Sequence, residues 1–341
     1  MGTTQTLLEL LEHSGNKVEI YDIGRRIGRL PRAQFVEFER ARAPYPLPMQ
    51  RKAWVALVQH NRASDAEPVI WFLRLDLDEQ GLLVQASRDY LLTRLLESAQ
   101  AKSSGNDPQA FLQDNPFAFT PKAERMALFH ARLSADIGRA PSRFYAHAVD
   151  YFQGNLGWDQ WEFVGYQGIA DVACRHDGEP LTAAIRQLPF APLQVLCHCL
   201  ESQRPAAGLT EALLDRLDQT LAQADDRPTL IAALIRALSS RTDDDRVLQR
   251  LGAVLADHRN NHIEVLAAIS GRAWPALRQG QLLQRYLDCL ASPQHPEGTF
   301  GACVNDLLSL PDMADAVRRT LRDPTQSDAV RAAFGRMLTP G

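Results

Sequence analysis

Few residues in this chain have types and spacings that bear on chemistry. Phe72-Leu73-Arg74-Leu75-Asp76-Leu77-Asp78 has the outline of a hydrophobic strand ending in Asp-x-Asp, the arrangement with which some phosphotransferases set a nucleophile and an acid beside Mg²⁺. However, Arg74, Asp76 and Asp78 alternate with Leu73, Leu75 and Leu77, which is the pattern of a strand with one solvated face. No second carboxylate pair or downstream lysine motif accompanies them. His258 and His262 stand four apart with Glu264 nearby, a spacing that brings two imidazoles to one metal on a helix. The intervening Arg259-Asn260-Asn261 reads instead as a turn between helices. In Cys197-His198-Cys199 the thiols are two apart and point in different directions on a helix, so they read as small buried residues. The chain has no Gly-x-Gly-x-x-Gly, Gly-Lys-Ser/Thr phosphate loop, Gly-x-Ser-x-Gly or His-Glu-x-x-His. The expectation is therefore no catalytic residue, no metal ligand and no cofactor, and a cryptic metal-dependent enzyme ranks third among the functional readings.

Three features point to binding. From Lys17 to Arg62 ten basic residues face four acidic ones, a local balance of +6 that leaves −10 for the rest of a chain whose total is −4. Within that stretch Arg25, Arg26, Arg29 and Arg32 crowd the turn between a strand and a helix and form the candidate polyanion site. Against it stands internal pairing with Glu19, Glu37, Glu39 or the acidic repeat array, which the whole-chain pI of 6.1 favours. The second feature is the aromatic group Tyr151, Phe152, Trp158, Trp161, Phe163 and Tyr166, interrupted by Gly154 and Gly157. Trp158 and Trp161 are candidate protein-binding anchors, and a core sealing the first helices is the competing reading. The third is Arg216, Arg250 and Arg285, which recur at matching positions of an internal repeat and are candidates for a protein-binding ladder.

The repeat is visible in Leu213-Leu214-Asp215-Arg216-Leu217, Val247-Leu248-Gln249-Arg250-Leu251 and Leu282-Leu283-Gln284-Arg285-Tyr286, offset by 34 and 35 residues. A second apolar helix follows each block, at Thr229 to Ser240, His262 to Ser270 and Phe300 to Leu310. Paired helices at this period predict an α-solenoid of HEAT-like type, because one pair cannot bury its own apolar face. An irregular bundle is the alternative.

Ahead of this array the texture is mixed. Helical spacing of leucines predicts a helix over Thr4 to His13, alternation predicts a strand over Lys17 to Ile23, and Leu30-Pro31 opens a helix reaching Arg42. Pro44, Pro46 and Pro48 forbid helix. Strands are predicted over Ala53 to His60 and Val69 to Leu77, joined as an antiparallel pair, and a helix over Ser87 to Ala99. Ala-Lys-Ser-Ser-Gly-Asn-Asp-Pro, running from residue 101 to 108, is the linker candidate. The domain expectation is thus a small α+β domain over 1–100, a linker over 101–118 and an all-α helical-repeat domain over 119–341.

Asp22-Ile23-Gly24-Arg25-Arg26, Gln34-Phe35 through Phe38-Glu39, Pro44-Tyr45-Pro46, Gln50, Ala53-Trp54, Ile70-Trp71-Phe72-Leu73 and Asp78-Glu79-Gln80-Gly81-Leu82 together resemble the bacterial domain of unknown function 3549 family. The resemblance extends across the whole length, and it implies no activity, cofactor or active site. It implies a bacterial cytosolic setting, consistent with five cysteines in apolar helical contexts, no apolar stretch near the roughly 20 residues that cross a bilayer and no signal-peptide pattern at the N-terminus. The leading functional expectation is a non-catalytic cytoplasmic adaptor or regulator that binds another protein through its helical-repeat surface. Nucleic-acid binding by the basic N-terminal domain is the alternative.

Overall fold

Val18 and Ile20 on one strand, Ala53, Val55 and Leu57 on a second, and Trp71, Leu73 and Leu75 on a third alternate with residues of the opposite face, so strand pairing gathers them into one apolar layer. The computed structural model describes residues 6–12, 17–60, 66–102, 115–175, 179–223 and 227–339. The strands are β1 (Lys17–Asp22), β2 (Gly28–Arg29), β3 (Lys52–His60) and β4 (Val69–Asp76), antiparallel in the order β2-β1-β3-β4. Ile20 stands opposite Leu57, and Val55 opposite Leu73. Helices α1 (Leu7–Glu12), α2 (Arg32–Glu39) and α3 (Gln85–Lys102) supply Leu7, Leu8, Leu11, Phe35, Phe38 and Leu91 to the same core.

The opposite face is closed differently. Trp54 lies between the Arg74 guanidinium, 5.5 Å from its ring centre, and Phe119, whose ring stands edge-on at 4.9 Å. Phe119 is held there because residues 115–119 run along β4: the Arg74 amide donates to the Phe117 carbonyl and the Phe119 amide to the Phe72 carbonyl. The end of the expected linker is therefore part of the sheet edge. Ala101 and Lys102, at its start, close α3, and residues 103–114 lie outside the described residues. The chain divides at Lys122 into two compact units, with residues 309–311 grouped with the first.

The second unit is helical. Its α4 (Ala123–Asp136), α6 (Tyr166–Arg175), α8 (Phe190–Leu200), α10 (Pro228–Leu238) and α12 (Ile263–Gly271) form one row, each packed on the next. A second row consists of α5 (Tyr145–Phe152), α7 (Glu179–Gln187), α9 (Ala207–Ala222), α11 (Asp245–Ala256), α13 (Gly280–Leu290) and α15 (Ala314–Arg322). Two more helices, α14 (Thr299–Ser309) and α16 (Asp328–Leu338), complete the unit. The rows differ in composition for a physical reason. Helices α11 and α13 carry apolar residues on one face only, as surface helices do, whereas α10 is buried nearly all round through Leu230, Ile231, Ala233, Leu234, Ile235 and Leu238. Among the described residues no helix is long and apolar enough to cross a membrane.

Candidate functional site

Arg236 is the single charged residue in the body of α10, and a guanidinium on so apolar a helix must find a carboxylate. It finds Glu201, at the C-terminal end of α8: Arg236 Nη1 lies 3.2 Å from Oε2. Two more arginines converge on the same carboxylate. Arg125, in the first turn of α4, donates from Nη1 to Oε1 at 2.8 Å, and Arg272, which caps α12, places Nε 3.2 Å from Oε1. Four members of the first row, α4, α8, α10 and α12, thus meet at one point, with Glu201 only 6% exposed and the arginine side chains 14 to 28% exposed.

The electrostatics follow. Burial pushes the Glu201 carboxyl up, but Arg272, Arg125 and Arg236 together outweigh it and hold the group at about 2, so it is ionised throughout the physiological range. Arg125, Arg236 and Arg272 thus share this one carboxylate, and the exposed Glu124 stands next to Arg125 in the first turn of α4. His198, one turn before Glu201, is lowered by burial and then by Arg236. It is therefore neutral at pH 7. Around the cluster the helix ends are stitched together: Ser240 Oγ donates to the Gln203 carbonyl at 2.6 Å, and Arg204 reaches both the Ser240 carbonyl and Asp243.

The arginine ladder exists as a register, and its members point back along the row. Arg216 on α9 is half-buried and donates to the Arg186 and Leu188 carbonyls at the end of α7. Arg250 on α11 pairs with Asp218 on α9 at 3.0 Å. Arg285 on α13 is exposed and lies beside Gly252 of α11, with no hydrogen-bond partner among the described residues. It lines a shallow groove of about 380 Å³ together with Asp245, Gln249 and Gln281. Two of the three guanidinium groups are thus engaged by the preceding helix.

The polyanion candidates are distributed rather than pooled. Arg25 is buried, with Nε 2.5 Å from the Pro48 carbonyl. The Arg26 amide donates to Asp22, whose carboxylate also accepts from the buried Tyr45 hydroxyl. Arg29 donates to the Tyr21 hydroxyl and lies over its ring, with Glu19 at 3.8 Å, and Arg32 pairs with Glu12 at 2.6 Å. The guanidinium groups of Arg25, Arg29 and Arg32 are each taken up by their own surroundings, and Arg26 is anchored through its backbone amide.

Of the aromatic candidates, Trp158 is half-buried against Tyr151, whose hydroxyl donates to the Trp158 carbonyl at 3.0 Å. Trp161 is partly exposed, in the short 3₁₀ helix Trp158–Phe163. The residue at its end, Phe163, is 74% exposed. Phe144, 42% exposed, carries the Arg143 guanidinium 4.9 Å from its ring centre and lies against Gly165, two residues beyond Phe163.

The chemical patterns dissolve into local structure. Asp76 pairs with Lys52 across the sheet, and Asp78 accepts the Gln80 and Leu82 amides of a turn that needs Gly81 at φ 78°. His258 is 96% exposed on a 3₁₀ turn, whereas His262 caps α12. Cys197 and Cys199 are fully buried, and burial pushes the Cys197 thiol up to about 12. Among the described residues no group of three His, Cys, Asp or Glu could hold a metal ion.

Sequence patterns did not single out the Glu201 cluster, because its members come from four separate helices. The available signals were the lone arginine in α10 and the glutamate that follows α8 where Ser239 and Ser270 occupy the ends of α10 and α12. A family model described as a protein of unknown function (DUF3549) matches residues 2–338, so the chain belongs to that family. No curated protein and no solved structure matches it.

Proposed function

We propose that this member of the DUF3549 family is a non-catalytic adaptor or regulator that binds another protein through its helical unit, arranged as a HEAT-like α-solenoid. The two rows of helices, each helix packed on its neighbour in the same row, support the repeat reading. The observation that carries the binding reading is the aromatic edge at the start of the array. Phe163 at 74% exposure and Phe144 at 42% project from a unit in which Phe129, Tyr151, Phe152, Trp274, Tyr286 and Phe300 are buried, and each costs free energy in water that a partner's apolar surface would recover. Rigid aromatic side chains of this kind are frequent interface anchors. Trp158 and Trp161 share the short 3₁₀ helix that ends at Phe163.

The test is site-specific photo-crosslinking from position 163 in the native host, followed by capture with the Phe163→Ser/Phe144→Ser variant. The adduct is expected to identify one protein partner, and the double variant is expected to lose it while melting within about 2 °C of the parent, because exposed positions contribute little to stability. Retention of that partner by a folded double variant would refute this surface.

A further inference from the structure

We infer that α1 is a pH-governed latch on the N-terminal unit: it stays docked while the buried Glu39 carboxyl holds its proton, and lifts from β1 and α3 when that proton is lost. Glu39 is fully buried at the end of α2, and its Oε1 accepts the Leu7 amide in the first turn of α1. Its Oε2 is buried without a hydrogen-bond partner, and among the described residues the carboxyl forms no ion pair. The nearby cations are engaged elsewhere: Arg32 pairs with Glu12, Arg40 with Glu9 and Arg88 of α3 with Asp89. Glu9 on α1 opposes ionisation of Glu39, and Arg88 favours it from beyond pairing distance. A buried carboxylate without a cation costs so much that the group must stay neutral or reach water.

Of the elements around Glu39, α1 is the one whose movement gives it water at least cost. It has six residues, too few to hold a helix alone. Beyond the burial of Leu7, Leu8 and Leu11 its ties include a hydrogen bond from Gln59 to the Leu11 carbonyl and the Glu9 and Glu12 ion pairs, which are partly exposed and individually weak. It precedes the sheet, so lifting it breaks no strand pairing. The open form presents the core side of α1, β1 and α3 to solvent. A purely structural cap on the Leu7 amide would be served as well by a hydroxyl or amide side chain, which does not titrate. The competing account is that the amides of α1 hold the ionised carboxylate in place, which predicts that α1 tightens as pH rises. The latch stands independently of the aromatic edge, so either can fail without the other.

The experiment is native-state hydrogen exchange on the full chain from pH 5 to 8, following the amides of α1 and of β3, with each rate divided by that of an unstructured peptide at the same pH. The docked carboxyl titrates at about 7 and the solvated one at its ordinary 4.5, so opening is coupled to proton release. Protection of α1 should therefore fall with rising pH, by at most about 70-fold between pH 5 and 8. At pH 8 it should lie at least about tenfold below that of β3, because the latch opens without the sheet. In Glu39→Gln the fall should shrink to less than about threefold. Protection of α1 that stays level or rises with pH overturns the latch, as does a full fall in the glutamine variant. Equal protection of α1 and β3 at every pH overturns it too, since the unit then opens only as a whole, and this outcome separates the latch from a general loss of stability. Should the glutamine variant not fold, the pH series of the unaltered chain, with α1 and β3 compared at each pH, decides by itself.

Discussion

Replacing Glu39 by Gln should leave the N-terminal unit nearly as stable as the parent at pH 5 and make it more stable at pH 8, by up to about 3 kcal/mol. The Glu39 side chain is fully buried, at the end of α2, and its carboxyl accepts the amides of Leu7 and Leu8 at the start of α1. Burial, the larger effect, raises its pKa, the two amides lower it, and the outcome is about 7 against an ordinary 4.5. Folding therefore favours the protonated form. Below about 4.5 the group is neutral whether folded or unfolded and its contribution is fully present. As pH rises toward 7 the unfolded chain has released the proton and the folded chain has not, so stability falls, and above 7 the full loss is reached. A shift of this size corresponds to about 3 kcal/mol, since each pKa unit is worth about 1.4. Glutamine copies the neutral acid and keeps one carbonyl acceptor, which limits the penalty at pH 5 to about 1 kcal/mol. The assay is urea unfolding at pH 5, 6, 7 and 8, read by pulsed hydrogen exchange on the peptide spanning β3 so that the N-terminal unit is followed separately. The comparison of variant and parent at each pH removes other titrations. These include that of His198 in the helical unit, whose lowered pKa acts in the opposite sense, adding stability as pH rises through 6.5. A gap between the two chains that stays constant from pH 5 to 8 would refute the reasoning.

Two further outcomes follow from the packing. Gly168→Ala should lower the melting temperature of the helical unit by several degrees, a cost of about 1–3 kcal/mol, because a Cβ there would lie 2.6 Å from the Phe144 carbonyl oxygen and 3.1 Å from the Ala148 methyl; calorimetry checks it, and an unchanged melt contradicts it. Arg216→Ala should cost more than Arg250→Ala in chemical denaturation, about 1–2 kcal/mol against less than about 1, since the half-buried Arg216 satisfies two carbonyls at the end of α7 whereas Arg250 makes a solvent-exposed ion pair.

The strands were legible because Val18 and Ile20, or Trp71, Leu73 and Leu75, repeat at the period of two that pleating imposes. The helices α9, α11 and α13 were legible because their leucines recur at the period of a helix face. What escaped was non-local. Gly28–Arg29 forms a strand of two residues, too short to show any period, and exists because Tyr21 and Asp22 offer it an edge. Asn115-Pro116-Phe117-Ala118-Phe119 reads as linker in isolation, and becomes sheet edge only because β4 has an unpaired side and Trp54 and Phe72 present rings to Phe119. Phe163 carried no mark distinguishing it from Tyr151, which is buried in the same aromatic run, since exposure depends on tertiary packing that residue type alone does not encode.

The same contrast explains why the arginines that recur differ from those that converge. A repeat that places Arg216, Arg250 and Arg285 one helix pair apart also places the end or flank of the preceding helix within reach of each. Regularity that makes such a ladder visible in a sequence thereby satisfies Arg216 and Arg250 internally, while Arg285 is the exception, exposed beside Gly252 of α11. The Glu201 cluster arises where regularity fails. The helix ends of α10 and α12 carry Ser239 and Ser270, small hydroxyls that fit between packed helices, and Ser239 Oγ reaches back to the Glu201 carbonyl at 3.5 Å. At the end of α8 the place is taken by a carboxylate that draws arginines from three other helices and is outnumbered by them. A structural requirement alone would be met by another serine at far lower desolvation cost, because a buried ionic network is seldom more stabilising than a well-packed neutral one. Stability alone therefore does not select this carboxylate; its three arginines fix the mutual placement of the ends of α8, α10 and α12 and the start of α4, a specificity that a serine's single hydroxyl could not impose.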